Sequence, residues 1–227
     1  MTTTRDAAKK AAENAARTAV AARTEELFRR AGALREGHFR LKSGRHSDRY
    51  LEKFRVLQFP EITSELCGML AAFGRDPDGR AAVDVVAGPT TGGVILTFET
   101  ARQLGVRSLF AEEVRDDAGT HREFRRGFTI SRDERVLLVD DILTTGGSLA
   151  AMLPAVEQFG GEVVRAVVLV DRSGGQERLQ SRESGRAYEL DALWRLELPT
   201  WEAGAGCPAC TAGVPLEEPG SGGATPG

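Results

Sequence analysis

The stretch 135–148, RVLLVDDILTTGGS, constrains this chain more than any other. Its four aliphatic residues at 136–139 read as a strand covered on both faces, the pattern of a parallel sheet. Two adjacent carboxylates, Asp140 and Asp141, emerge at the carboxyl end of that strand. A small, hydroxyl-rich turn containing Thr144, Thr145, Gly146, Gly147 and Ser148 then opens a helix. Such a turn can wrap a phosphate with backbone N–H groups, hydroxyls and the positive end of the helix. Carboxylates at the strand tip suit two sugar hydroxyls, or a hydrated magnesium ion carried with phosphates. One loop would therefore hold a ribose by its hydroxyls and by its 5′-phosphate. A strand ending in one aspartate is common; the aliphatic run, the double acid and the TTGGS turn together are not. A Walker-type triphosphatase would need a G-x-x-x-x-G-K-[ST] loop, and no lysine follows Lys53. No G-x-G-x-x-G follows a strand, so a dinucleotide fold is also excluded.

The rest of the chain alternates between helix and strand patterns. Thr24 is placed to cap a helix that carries Leu27, Ala31 and Leu34 on one face. Residues 38–57 read as strands around a turn at 42–44. Pro60 suits the first position of a helix that aligns Ile62, Leu66, Met69, Leu70 and Phe73. Short aliphatic runs at 83–87, 106–110 and 163–170 read as further buried strands, with helices predicted over 94–104 and 147–159. Pro154 should bend or shorten the second of these helices. The alternation predicts an α/β fold with a parallel sheet, whose ligands gather at the carboxyl ends of the strands. Residues 1–23 are alanine-rich without an apolar stripe and read as a disordered or helical extension. Residues 24–218 form the domain, and 219–227, almost all Gly, Pro, Ser, Thr and Ala, a disordered tail.

Charge and composition exclude several classes. With 30 Lys and Arg against 33 Asp and Glu, the net charge of −3 disfavours a non-specific nucleic-acid binder. No aliphatic run approaches the ~20 residues of a membrane span, and no apolar signal segment opens the chain. Three cysteines cannot frame a disulfide scaffold. A cytoplasmic protein with neither membrane nor nucleic-acid partner is expected. Cys207 and Cys210 have metal-knuckle spacing, but a closed zinc site needs four ligands. Only Cys67 and three histidines remain, with no second matching pair, so no metal ligands are assigned and the CPAC segment reads as a structural turn with free thiols. An intermolecular metal or redox role is the alternative.

The 136–148 segment resembles the phosphoribosyl-pyrophosphate (PRPP) motif of type I phosphoribosyltransferases. Three further stretches narrow the resemblance to the orotate branch of that family: FRLKSGRHS at 39–47, the pair Asp171 and Arg172, and CPACTAGVPLEE at 207–218. The likeness runs from about residue 28 to residue 218. It implies a type I phosphoribosyltransferase fold, a mainly five-stranded parallel sheet flanked by helices with a small hood from 24–58 and the C-terminal part. It implies conversion of orotate and PRPP to orotidine 5′-phosphate and pyrophosphate in UMP synthesis, with Mg²⁺ as cofactor and a homodimer sharing its active sites. Asp140, Asp141, Ile142, Leu143, Thr144, Thr145, Gly146, Gly147 and Ser148 would bind PRPP, while Thr144, Arg172 and Lys42 would meet orotate.

The resemblance also implies a pyrophosphate contact from Thr90 to Gly93, although Gly92 stands where many members have a lysine. A mobile loop at 112–127 should close over the pyrophosphate with basic residues. Here it begins Glu112-Glu113 and adds Asp116-Asp117, so the catalytic cations are assigned to Arg115 and His121, beside Asp140 and Asp141, and Arg122 is expected to matter little. The competing functions are a PRPP-sensing nucleic-acid regulator on the same fold, or a transferase for another base.

Overall fold

The computed structural model describes residues 2–41, 43–117 and 119–219, with side chains from residue 7 onward. The chain opens with α1 (Thr2–Arg30), then a hairpin of β1 (Leu34–Arg40) and β2 (His46–Leu51), then α2 (Lys53–Leu57) and α3 (Pro60–Ala72). There follow β3 (Val85–Pro89), α4 (Gly92–Leu104), β4 (Arg107–Asp116), β5 (Gly119–Phe124) and β6 (Arg135–Leu143). The remaining elements are α5 (Gly147–Ala150), α6 (Met152–Glu157), β7 (Glu162–Asp171), β8 (Arg178–Gln180), β9 (Ala187–Arg195) and α7 (Pro208–Thr211).

One sheet in the order β5-β4-β3-β6-β7-β9-β8 organises the molecule. Its five inner strands are parallel, and the two edge strands run antiparallel. The four aliphatic residues of β6 are fully buried and alternate between two cores. Leu137 and Val139 pack under α1, α3 and α4 with Phe28, Leu66, Leu70, Leu96 and Trp194. Val136 and Leu138 pack on the other face with Leu149, Met152, Leu153 and Val156 of α5 and α6. A sheet covered on both faces requires this unbroken aliphatic run.

Thr24 does not cap a helix. It lies inside α1, which passes through it, and its hydroxyl donates back to the Val20 carbonyl at 2.9 Å. Alanine-rich sequence without Gly or Pro before Gly32 lets the helix run unbroken. Val20 and Ala21 pack on the core, Phe28 meets Trp194 with ring centroids 5.8 Å apart, and Arg17 reaches Asp191 at 3.3 Å. The helix predicted over 147–159 is instead two short pieces parted at Ala151, because Pro154 has no N–H to continue the ladder. Of the tail 219–227, only Pro219 lies among the described residues. No described helix is long and apolar enough to cross a membrane.

The hood is the β1–β2 hairpin, clasped by the end of the chain. Glu217 donates its N–H to the His38 carbonyl and accepts from Arg40 N–H, and His46 and Trp201 exchange both backbone bonds, each 2.8 or 2.9 Å. The sequence reading leaves CPAC without ligand partners; the fold brings two histidines beside it. His38 and His46 are diagonal neighbours on one face of the hairpin, and the returning chain lays Cys207 and Cys210 against them.

The position of α1 yields a test of where the domain begins. Deleting residues 1–12 should leave the melting temperature unchanged, since side chains 7–19 are exposed. Deleting 1–23 should lower it by roughly 2–8 °C, the equivalent of ~1–2 kcal/mol of lost packing and ion pairing. Thermal denaturation of the two truncations decides the boundary.

Candidate active site

Chain order reverses between β3 and β6: β3 continues outward to β4, while β6 continues the other way to β7. At such a switch point the loops leaving the two strands part, and a crevice opens at their carboxyl ends. Here it is a cleft of about 740 Å³. Its floor is the loop after β6, with Asp140, Asp141, Ile142, Thr144 and Ser148, facing Thr90, Thr91 and Gly92 after β3. Arg172 after β7 closes one side, the hood supplies Arg40, Leu41, Ser43 and Tyr50 above, and the segment that follows it supplies Lys53.

The paired acids are buried, with Asp140 7% and Asp141 3% exposed. Lys53, at the start of α2, answers that charge. Its Nζ donates to Asp141 Oδ1 at 3.0 Å and lies 2.8 Å from Oδ2, a contact that is coulombic without hydrogen-bond alignment. Asp141 Oδ1 also accepts from the Ile142 N–H at 2.6 Å, and Asp140 Oδ1 accepts from the Asp141 N–H at 2.8 Å. Burial first, and the neighbouring Asp141 charge second, push the Asp140 carboxyl up to about 7; Lys53 and Arg122 oppose the rise.

Gly92 explains why no side chain fits at its position. A Cβ there would stand 1.9 Å from Asp141 Oδ2, so the cation on this carboxylate has to come from elsewhere, and Lys53 supplies it. The turn after β6 depends on Gly146, whose φ of 75° is left-handed backbone open to glycine. Thr144, Thr145, Gly147 and Ser148 are exposed around it, whereas the Leu143 side chain is buried in the core, which leaves Leu143 only its backbone to offer a ligand.

Arg172 is half-buried and has no ion pair among the described residues. Burial lowers its pKa, with Tyr50 the one opposing influence. A desolvated guanidinium without a carboxylate is an incomplete pair, and it faces the cleft. Lys42 lies outside the described residues; its neighbours Leu41 and Ser43 both line the cleft.

The segment predicted as a mobile loop forms the β4–β5 hairpin. Its acids pair with its own cations: Glu112 with Arg126 at 2.6 Å, Glu113 with Arg115 at 3.0 Å, and Glu123 with His121 at 2.9 Å and Arg125 at 3.0 Å. Arg115 is 78% exposed, and His121 lines a second pocket beside α5 and α6 together with Arg122; none of the three lines the cleft directly. Glu123, then Asp116, hold His121 above its ordinary pKa. The cation that turns inward is Arg122. Its side chain is 9% exposed, and its guanidinium donates to Thr90 Oγ1 at 3.1 Å. Strand alternation carries the signal: residues 121 and 122 must point to opposite faces, and only one can face Thr90. Lys53 and Arg122 are the site cations that sequence reasoning passed over.

Residues 61–186 match the phosphoribosyl transferase domain family. The chain is 43% identical over 196 residues to orotate phosphoribosyltransferase of Caldicellulosiruptor bescii, covering 86% of this chain and 95% of that one. The same enzyme of Pelotomaculum thermopropionicum is 45% identical over 196 residues, with 86% and 94% covered. Among solved structures, orotate phosphoribosyltransferase of Aeropyrum pernix aligns with a TM-score of 0.60 at 28% identity, covering 75% of this chain and 92% of that one.

The raised carboxyl of Asp140 predicts a conflict between activity and stability. Relative to the ordinary 3.8, a higher pKa in the fold means that the wild type loses stability as pH rises from about 4 to about 7. Asp140→Asn keeps the acceptor oxygen and escapes that loss. It should melt about 2–6 °C above wild type at pH 8, with the gap closing toward pH 4. Its turnover should fall about tenfold to a hundredfold, because an ionic acceptor is gone. Melting curves across that pH range, with steady-state rates at pH 8, check both halves.

Proposed function

Because the chain belongs to the orotate phosphoribosyltransferase family, we propose that its cleft transfers the phosphoribosyl group of PRPP to N1 of orotate, releasing pyrophosphate and forming orotidine 5′-phosphate for UMP synthesis. The observation that carries this reading is Arg172, a half-buried guanidinium with no carboxylate partner among the described residues, which lines the cleft beside the loop that carries Asp140 and Asp141. Orotate brings a carboxylate that an arginine fork can pair with bidentately. Thr144 and the turn that contains Lys42 complete the orotate side in this proposal.

The chemistry asks little covalent work of the protein. Orotate is already an anionic nitrogen nucleophile, so positioning and electrostatics supply the rate. Asp140 and Asp141 accept from the ribose hydroxyls, and the turn from Thr144 to Ser148 encloses the 5′-phosphate with N–H and hydroxyl groups. Arg122, held on Thr90, meets the departing pyrophosphate. The arrangement favours Arg122 for that role over Arg115 and His121: all three lie near acids of the hairpin, and Arg122, 3.6 Å from Glu113, also bonds Thr90 of the cleft. The all-oxygen donors Asp140 and Asp141 suit a Mg²⁺ ion that arrives with PRPP; when bound, it neutralises charge growing on the pyrophosphate. A homodimer is supported by the exposed apolar side chains Phe54, Phe59, Ile95 and Phe98, which lie on or beside the contacting helices α2 and α4. The enzyme is assigned to the cytoplasm, where its free cysteines stay reduced.

Arg172→Ala tests the reading. It should cut kcat/KM for orotate about a hundredfold or more while PRPP still raises the melting temperature as in wild type. In the same assay Arg122→Ala should lower kcat about a hundredfold with little change in KM for PRPP, and Arg115→Ala should stay near wild type. Unchanged orotate kinetics in Arg172→Ala would remove the basis for the orotate site.

A further inference from the structure

A second cluster lies outside the cleft, under the hood. His38, His46 and Cys207 are 3%, 5% and 0% exposed, and Cys210 is half-buried beside them. Their ligand atoms all lie within 4.8 Å of one another. His38 Nε2 is 3.6 Å from Cys207 Sγ and 3.5 Å from Cys210 Sγ. His46 Nδ1 is 3.2 Å from Cys210 Sγ and 2.8 Å from His38 Nε2. A tetrahedron with zinc–sulfur bonds near 2.3 Å and zinc–nitrogen bonds near 2.0 Å has edges of about 3.3–3.8 Å. The three sulfur–nitrogen separations, 3.2–3.6 Å, are close to that size, the nitrogen–nitrogen separation is shorter at 2.8 Å, and no carboxylate belongs to the cluster among the described residues.

A hydrogen bond outside the four ligands fixes which atoms face inward. His38 Nδ1 lies 2.8 Å from the Val214 carbonyl, which can only accept, so Nδ1 carries the proton. Nε2 of a neutral His38 then presents a lone pair to His46 Nδ1 and both sulfurs. A ring N–H on a backbone carbonyl is also the usual support of a metal-bound histidine.

We propose that His38, His46, Cys207 and Cys210 bind one structural Zn²⁺ that fastens the hood to the end of the chain. Four protein ligands leave no open position, and two sulfurs with two imidazoles select zinc over magnesium. Binding converts both thiols to thiolates and releases their two protons to solvent, so the ion and its ligands are together neutral and no electron is transferred. The consequence is positional. The hairpin that presents Arg40, Leu41 and Ser43 to the cleft is joined to the sheet domain through the same segment that carries the cysteines. The site and its test hold whichever base the cleft accepts.

The test is metal content of the full-length protein purified without chelators or a metal-binding tag. One zinc per chain is expected in wild type and in Cys67→Ala, whose thiol lies in the main core. Background zinc is expected in Cys207→Ser/Cys210→Ser. A chelator should lower the wild-type melting temperature by roughly 5 °C or more, and added zinc should restore it. Should the double variant fail to fold, reduced wild type titrated with Co²⁺ gives the answer alone: a four-coordinate spectrum with thiolate charge-transfer bands supports the site. Several results would overturn it: no zinc taken up by reduced protein, a six-coordinate cobalt spectrum, or equal zinc in wild type and the folded double variant. A disulfide between Cys207 and Cys210 that persists in protein purified under reducing conditions would do the same.

Discussion

Two adjacent carboxylates at the tip of a buried strand set the terms for everything around them. Asp140 and Asp141 repel each other and are both taken out of water. The chain answers with Lys53 on Asp141 and with backbone N–H groups on both acids. Lys53 belongs to the segment that follows the hood, so one ion pair joins the hood side of the cleft to the sheet. Removing Lys53 would leave the buried Asp141 charge without its cation, although the 35% exposure of the Lys53 side chain lets solvent screen part of that loss. The same pair leaves no room for a side chain at residue 92, where a Cβ would stand 1.9 Å from Asp141 Oδ2.

Topology places the remaining parts. With the strand order reversing between β3 and β6, three loops end at one crevice: one with Thr90, one with the acids and one with Arg172. The β4–β5 hairpin adds Arg122 from the edge. Its acids pair with the exposed cations of the hairpin, and Glu113 also lies 3.6 Å from Arg122, the one that turns inward to Thr90.

Much of this was legible in the chain. The aliphatic run of β6 could only be a strand covered on both faces, and the acids and TTGGS turn had to follow its end. Arg172 had no signal of its own beyond a strand end, and the resemblance to the orotate enzymes supplied it. Lys53 was invisible because its partner lies 88 residues away. Strand β9 was missed because its buried Tyr188 and Leu190 alternate with polar residues while Leu193 and Trp194 are adjacent, which gives neither a sustained alternation nor the aliphatic run that marked β6 and β7. The four-ligand cluster escaped because half of it is a CxxC and half spans a hairpin turn. His38 and His46 are eight residues apart in sequence and become neighbours only when β1 and β2 pair. Helix propensity in residues 1–23 was readable, but docking of Val20 and Ala21 was not, since two small contacts make no stripe.

The central claim is that Arg172, without an ion pair among the described residues, and the paired-acid loop beside it select an anionic pyrimidine and PRPP together. The direct measurement is product formation by the purified protein with Mg²⁺ and PRPP, offered orotate, uracil, adenine, guanine and hypoxanthine in separate reactions. The account predicts orotidine 5′-phosphate and equimolar pyrophosphate from orotate, and no nucleotide from the other four. Turnover of a purine with none of orotate would contradict it.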